Sequence, residues 1–220
     1  MAISDYTDAA TLKGLIGIDA ADTSQDTRLA QLITAASRSI DRYCGRHFYS
    51  VVEPRYFQAD DPVMPINPFS ERRLSGLLKL PVDDLLSLTE LVTDYDGDRI
   101  YETTWDPAWD YFLEPANAPS FLKPYTQIRV DWIRGRYRLP PWPRSIRVTG
   151  TWGYWTAVPD MVRESCLRMA ERVYKLPDAP LGVLPNAAYD RLGESMTERL
   201  RSDPDLAGWL QPYVREWVLI

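Results

Sequence analysis

The chain has 220 residues, 45% of them apolar and 12% aromatic, enough for one large domain or two small ones with a real core. Its formal net charge of -6 argues against an unspecific grip on phosphate backbones, because that grip comes from Lys and Arg releasing counterions. One histidine, His47, and two cysteines, Cys44 and Cys166, leave too few ligands for a His/Cys metal site, and no apolar run approaches the roughly eighteen residues of a membrane span.

The opening MAISDYTDAATLKGL has no basic stretch followed by an apolar core, so the expectation is a protein made in a reducing cytoplasm with both thiols free and buried. Residues 7 to 14 read as a short helix, with Thr7 as N-cap and Gly14 as stop. From Asp22 to Cys44 the pattern is stronger. Leu29, Leu32, Ile33, Ala36, Ile40 and Tyr43 fall on one helical face, Asp22 or Thr23 caps the start, and Gly45 ends it.

After His47 prolines and aromatics become frequent, and residues 48 to 155 read as a β-rich insertion. In VTDYDGDRIY, residues 92 to 101, Asp-Gly lies between β-favouring runs, a hairpin signal. A second hairpin is expected to join YTQIRVDWI (125 to 133) to SIRVTGTWGY (145 to 154) across RGRYRLPPWPR, a loop stiffened by tandem prolines. In the second run Ile146, Val148, Gly150 and Trp152 alternate with Arg147, Thr149 and Thr151, the period of a half-buried strand.

Helical texture resumes within four residues of that strand. Pro159 suits a first turn, Asp160 faces the positive end of the macrodipole, and Val162, Cys166, Met169, Ala170 and Val173 recur at helical spacing to Lys175. Further helices are expected at about 186 to 201 and 204 to 214. Ser202 or Asp203 caps the last, Leu206, Trp209 and Leu210 line its face, and Pro212 ends or kinks it. The last residues, Trp217, Val218, Leu219 and Ile220, form a bare apolar tail. The fold class is therefore α+β: a discontinuous helical bundle of four or five helices from residues 1 to 47 and 156 to 214, the β-rich insertion 48 to 155, and the tail 215 to 220.

The chemical constellations are few. Asp94, Asp96 and Asp98 invite a cation, but an EF-hand loop wants glycine sixth and a bidentate Glu twelfth, whereas Gly97 is fourth and Thr103 and Thr104 lie near the last position. A solvated hairpin tip is the preferred reading, with no metal and no cofactor. His47, beside aromatics at a helix end, reads as structural; no G-x-S-x-G elbow exists, and GLIGID lacks both a third glycine and a Walker lysine. The expectation is no enzyme. Arg134, Arg136, Arg138 and Arg144 cluster with Trp132, Tyr137 and Trp142, a mixture able to stack bases. Given the acidity, a protein partner is the better fit, with Arg136, Tyr137, Arg138 and Trp142 as contacts on a protruding arm. The apolar Trp217, Val218, Leu219 and Ile220 are the second candidate contact. The eight tryptophans leave a carbohydrate-binding module as an alternative.

Taken in order, these segments resemble the head-tail connector (adaptor) proteins of long-tailed bacteriophages. The resemblance rests on TDAATLKGLIGI, on DTRLAQLITAASRSIDRYCGRHF with its Cys-Gly-Arg-aromatic turn, on IRVTGTWGYWTAVPDMVRESCLRMAERVY, and on LRSDPDLAGWLQPYVR. It covers both chain ends, and the β-rich insertion is longer than in compact members. The resemblance implies a virion structural protein without catalytic residues, assembled as a homo-oligomeric ring of about twelve copies. It further implies a portal protein above, a tail or stopper protein below, no membrane, and DNA passing through the lumen without sequence-specific binding. A related neck or tail-completion ring is the alternative within the same class.

Overall fold

A computed structural model describes residues 4–59, 79–131, 133–175 and 196–215. The class is α+β, with five α-helices and a six-stranded antiparallel sheet among the described residues. The chain divides into two compact units, Ser50–Thr156 and a second made of Met1–Tyr49 with Ala157–Ile220.

In the helical unit, α1 (Ala9–Ile16) starts at Asp8, whose carboxylate accepts from the Thr11 amide at 2.8 Å, and ends at the left-handed Gly17. The expected Thr7 cap loses to the stronger carboxylate acceptor one residue on, and Gly14 lies inside the helix rather than after it. The second helix, α2 (Asp26–Cys44), begins four residues later than the sequence suggested. The Asp19 and Asp22 carboxylates accept from the amides of Ala21 and Ser24, so Asp22 makes an Asx-turn before the helix. Its end is as expected, with the Gly45 amide donating to the Asp41 carbonyl at 2.8 Å.

Next come α3 (Asp160–Lys175), α4 (Met196–Ser202) and α5 (Pro204–Leu210). The Pro159 carbonyl accepts from the amides of Val162 and Arg163, opening α3. Asp203 caps α5 by accepting from the Asp205 and Leu206 amides, and Pro212 sits in the 3₁₀ turn that ends the helix. Helix α2 packs on α3 and α4, while α5 packs on α3 and α4 and α1 touches α2 and α3. Leu29, Ile33, Ala36, Ile40 and Cys44 of α2 are buried, as are Val162, Cys166, Met169 and Ala170 of α3, and the Cys166 thiol lies 3.4 Å from the Ser37 hydroxyl of α2. Each large aliphatic so buried contributes about 1.5–3 kcal/mol, which is why the period of 3.6 was legible. The helix expected from 186 falls before Met196 outside the described residues, as does the tail 217 to 220.

The sheet unit contains β1 (Val51–Phe57), β2 (Lys79–Thr93), β3 (Thr103–Thr104), β4 (Tyr111–Glu114), β5 (Tyr125–Val130) and β6 (Ile146–Trp152). Strand order is β1-β6-β2-β5-β4, with β3 also on β2. The alternation in β6 is as the sequence implied: Ile146, Val148 and Trp152 are fully buried. They pack with Leu80, Leu85, Leu91, Trp105, Ile128 and Leu139. Gly150 in this row is forced. A Cβ there would lie 2.3 Å from the Ser87 carbonyl oxygen, where β2 is bulged against β6.

The expected hairpin of 125 to 133 with 145 to 154 does not form, because β2 lies between β5 and β6 and pairs with both. At fifteen residues β2 is long enough to fill both roles, and no local pattern in the later runs reveals that an earlier strand separates them. The Asp-Gly hairpin does exist, but its strands meet at Val92↔Thr104 and Thr93↔Thr103 rather than around a two-residue turn.

Candidate interface surface

The Arg-aromatic loop between β5 and β6 is laid down on the sheet unit rather than standing off it. Its start is fixed by Asp131, whose carboxylate accepts from the Ile133 and Arg134 amides, and by the Gly135 amide on the Asp131 carbonyl. A Cβ on Gly135 would meet that carbonyl oxygen at 2.4 Å, so only glycine fits this tight approach. Arg136 then reaches Asp110. The backbone amide and Nε of Arg136 donate to one oxygen of Asp110, at 3.1 and 3.4 Å, and the guanidinium donates to the other at 3.1 Å. Asp110 is fully buried, whereas the Arg136 side chain is 60% exposed. Burial pushes the Asp110 carboxyl up, but the hydrogen bonds from Arg136 and the Asp106 amide outweigh it and hold it below the ordinary value.

Tyr137 is half-buried against Trp105 and Tyr95, with ring centroids 5.6 and 6.4 Å apart. The Tyr95 hydroxyl donates to the Arg138 carbonyl at 2.5 Å and accepts from the Arg138 amide. Leu139 enters the core, and the exposed Trp142 donates its indole N–H to the Tyr95 carbonyl at 3.2 Å. Further on, Arg144 lies over the Tyr56 ring at 4.8 Å and Arg147 over the Tyr101 ring at 4.9 Å, with Glu90 beside Arg147.

Of the four loop residues singled out in sequence, Arg138 and Trp142 are exposed and held through their backbone or indole N–H. Arg136 and Tyr137 hold the loop in place from one side each, the guanidinium still half in water. Trp217, Val218, Leu219 and Ile220 lie outside the described residues. Sequence reasoning missed Asp110 and Tyr95, the two groups that pin the loop, because both are remote in the chain. It also missed five exposed apolar residues on and beside β4 and β5, namely Trp109, Phe112, Phe121, Leu122 and Ile133. The pair Phe121-Leu122 between prolines was their one visible sign.

In the acidic loop, Asp94, Asp96, Asp98 and Glu102 bring a carboxylate oxygen each within 4.8 Å of one another. The oxygens of the buried Asp94 already accept from the Gly97 amide at 2.7 Å and the Arg99 amide at 2.8 Å, so its role is to shape the loop. His47 sits against Tyr49 and 3.5 Å from the Asp41 carboxylate. Asp41 also takes the Tyr6 hydroxyl, which in turn accepts from the Phe48 amide, so these groups close the end of α2. Both thiols are free and buried; burial pushes Cys44 up to about 12 and Cys166 up to about 11. No described helix is long and apolar enough to cross a membrane.

No protein family's sequence profile matches the chain, and no curated protein is similar to it. Solved structures are. A chain in the neck of an empty gene transfer agent (GTA) particle, computed with C6 symmetry, aligns with all of this chain and 95% of its own length, at TM-score 0.57 and 14% identity. A chain in the virion of the native gene transfer agent particle aligns with 90% of this chain and 94% of its own, at TM-score 0.46 and 17% identity. The first is similar in fold along the length of this chain.

Proposed function

We propose that this protein is a structural component of a phage-like neck, a head-tail connector (adaptor) ring that bridges portal and tail and forms part of the DNA channel. The observation that carries this reading is the end-to-end fold likeness to a chain of a particle neck. The ordered sequence motifs at both chain ends agree with it. The role is structural rather than catalytic, and the place is the virion at its head-tail junction.

A six-fold axis of the kind used for that neck admits six or twelve copies, and twelve is the number the adaptor resemblance implies. Head-to-tail closure needs two different complementary surfaces on each copy. Arg138 and Trp142 on the pinned loop supply one candidate, with Arg136 and Tyr137 holding it, and the apolar Trp217, Val218, Leu219 and Ile220 supply another. A net charge of -6 per copy lets DNA pass without sequence-specific binding, since a negative wall repels phosphates over a Debye length of about 8–10 Å. Above and below, the partners are a portal protein and a tail or stopper protein.

The test is genetic and visual. Particles assembled without this protein should be heads lacking attached tails, and a labelled copy should map to the neck. Normal tailed particles without it would end the reading.

A further inference from the structure

The two edges of the sheet differ. Strand β1 carries Pro54, which has no N–H to offer, together with the charged Glu53 and Arg55, the usual devices that blunt an edge. Strand β4, Tyr111-Phe112-Leu113-Glu114, has neither proline nor lysine, and among the described strands it pairs only with β5. Its one charge is cancelled, since Glu114 pairs with Arg129 at 2.9 Å, and that guanidinium also lies over the Phe112 ring at 5.6 Å.

Around this edge lie five large apolar side chains in solvent. Phe112 is on the strand; Phe121 and Leu122, at 72% and 60% exposure, sit in the loop joining β4 to β5. At the other end are Trp109 and Ile133, in the two segments that the Asp131 amide joins by donating to the Asp110 carbonyl. An open edge framed by apolar groups at both ends accepts an extended apolar segment, whose backbone completes the ladder while alternate side chains cover the surface.

We propose that the β4 edge takes the segment Trp217–Ile220 of a second copy of this chain as an added strand. The segment is wholly apolar, matching the apolar frame of the edge, and Trp, Val and Ile are among the residues that strands favour. Tail and edge are different surfaces of one chain, as a head-to-tail contact requires. The inference rests on the ring reading and names one head-to-tail contact within it, beside any that the Arg138 and Trp142 loop makes.

The test mixes full-length Phe112→Cys protein with full-length Val218→Cys protein under mild oxidation; Cys44 and Cys166 are buried and serve as background. A disulfide-linked pair of the two proteins is expected. In parallel, a fluorescent peptide of residues 215 to 220 is titrated against the full chain. Saturable binding is expected, weakened at least about tenfold by backbone N-methylation at alternate positions or by Phe112→Lys. Binding indifferent to N-methylation overturns the added strand. Peptide binding without the mixed cross-link overturns the second-copy assignment, and neither signal overturns the proposal altogether. Native mass on the same samples tells the two readings apart, since a ring without these signals leaves the neck assignment standing.

Discussion

Replacing Gly150 with alanine tests the sheet unit at its tightest point. The new Cβ would lie 2.3 Å from the Ser87 carbonyl oxygen, 3.0 Å from a Leu85 methyl and 3.4 Å from the Leu88 Cα. The methyl can rotate away, but the carbonyl belongs to the backbone of β2, which is also paired with β5 and β3. Relief therefore requires β2 and β6 to separate by close to an ångström at the bulge. Overpacking costs about 1–3 kcal/mol when side chains yield, and a backbone obstacle puts the cost at the upper end, about 3 kcal/mol. For a cooperative unit of about one hundred residues that is a fall of about 12–20 °C in Tm. Gly14→Ala is the control: nothing lies within 4 Å of its Cβ inside α1, so helix propensity raises stability by up to about 1 kcal/mol. Calorimetric melting of both variants reads the contrast. A Gly150→Ala protein melting within about 2 °C of the parent would refute the close approach and the register that places it there.

Other consequences follow from the buried polar groups. Tyr6→Phe removes the hydroxyl that joins Asp41 to the Phe48 amide and should cost about 1–3 kcal/mol by denaturant titration. Asp110→Asn should loosen the 131 to 145 loop, seen as faster amide exchange at Arg136 and Arg138, while the helical unit keeps its protection. Neither thiol should react with a thiol reagent at pH 8 in the folded protein, and both should react on unfolding, since burial raises Cys44 and Cys166. The pH limits have opposite signs: carboxyls held low, Asp8 by the Thr11 amide and Glu171 by Lys175, give stability that is lost as the pH falls below about 4. Cys44 and Tyr6, raised by burial, give stability that is lost as the pH rises past about 9, and melts at both extremes should show the two declines.

What could be read from sequence was whatever repeats locally. The apolar face of α2, the Gly45 stop, the strict alternation of β6 and the Pro159–Asp160 start of α3 each follow from a period or a cap within one turn. What could not be read depends on partners far along the chain. The β5–β6 hairpin failed because β2, an earlier strand, occupies the space between, and no residue in either run records that. The Arg-aromatic loop was visible as composition, yet its pinning by Asp110 and Tyr95 is a tertiary fact. The start of α2 shifted because Asp22 satisfied a nearby amide in a turn before it could cap a helix.

The central claim is ring assembly, and native mass measured from nanomolar to tens of micromolar protein, with negative-stain images of the largest species, tests it most directly. The account predicts a closed ring with a central opening and a copy number that is a multiple of six. A monomer or a two-fold dimer at every concentration would contradict it.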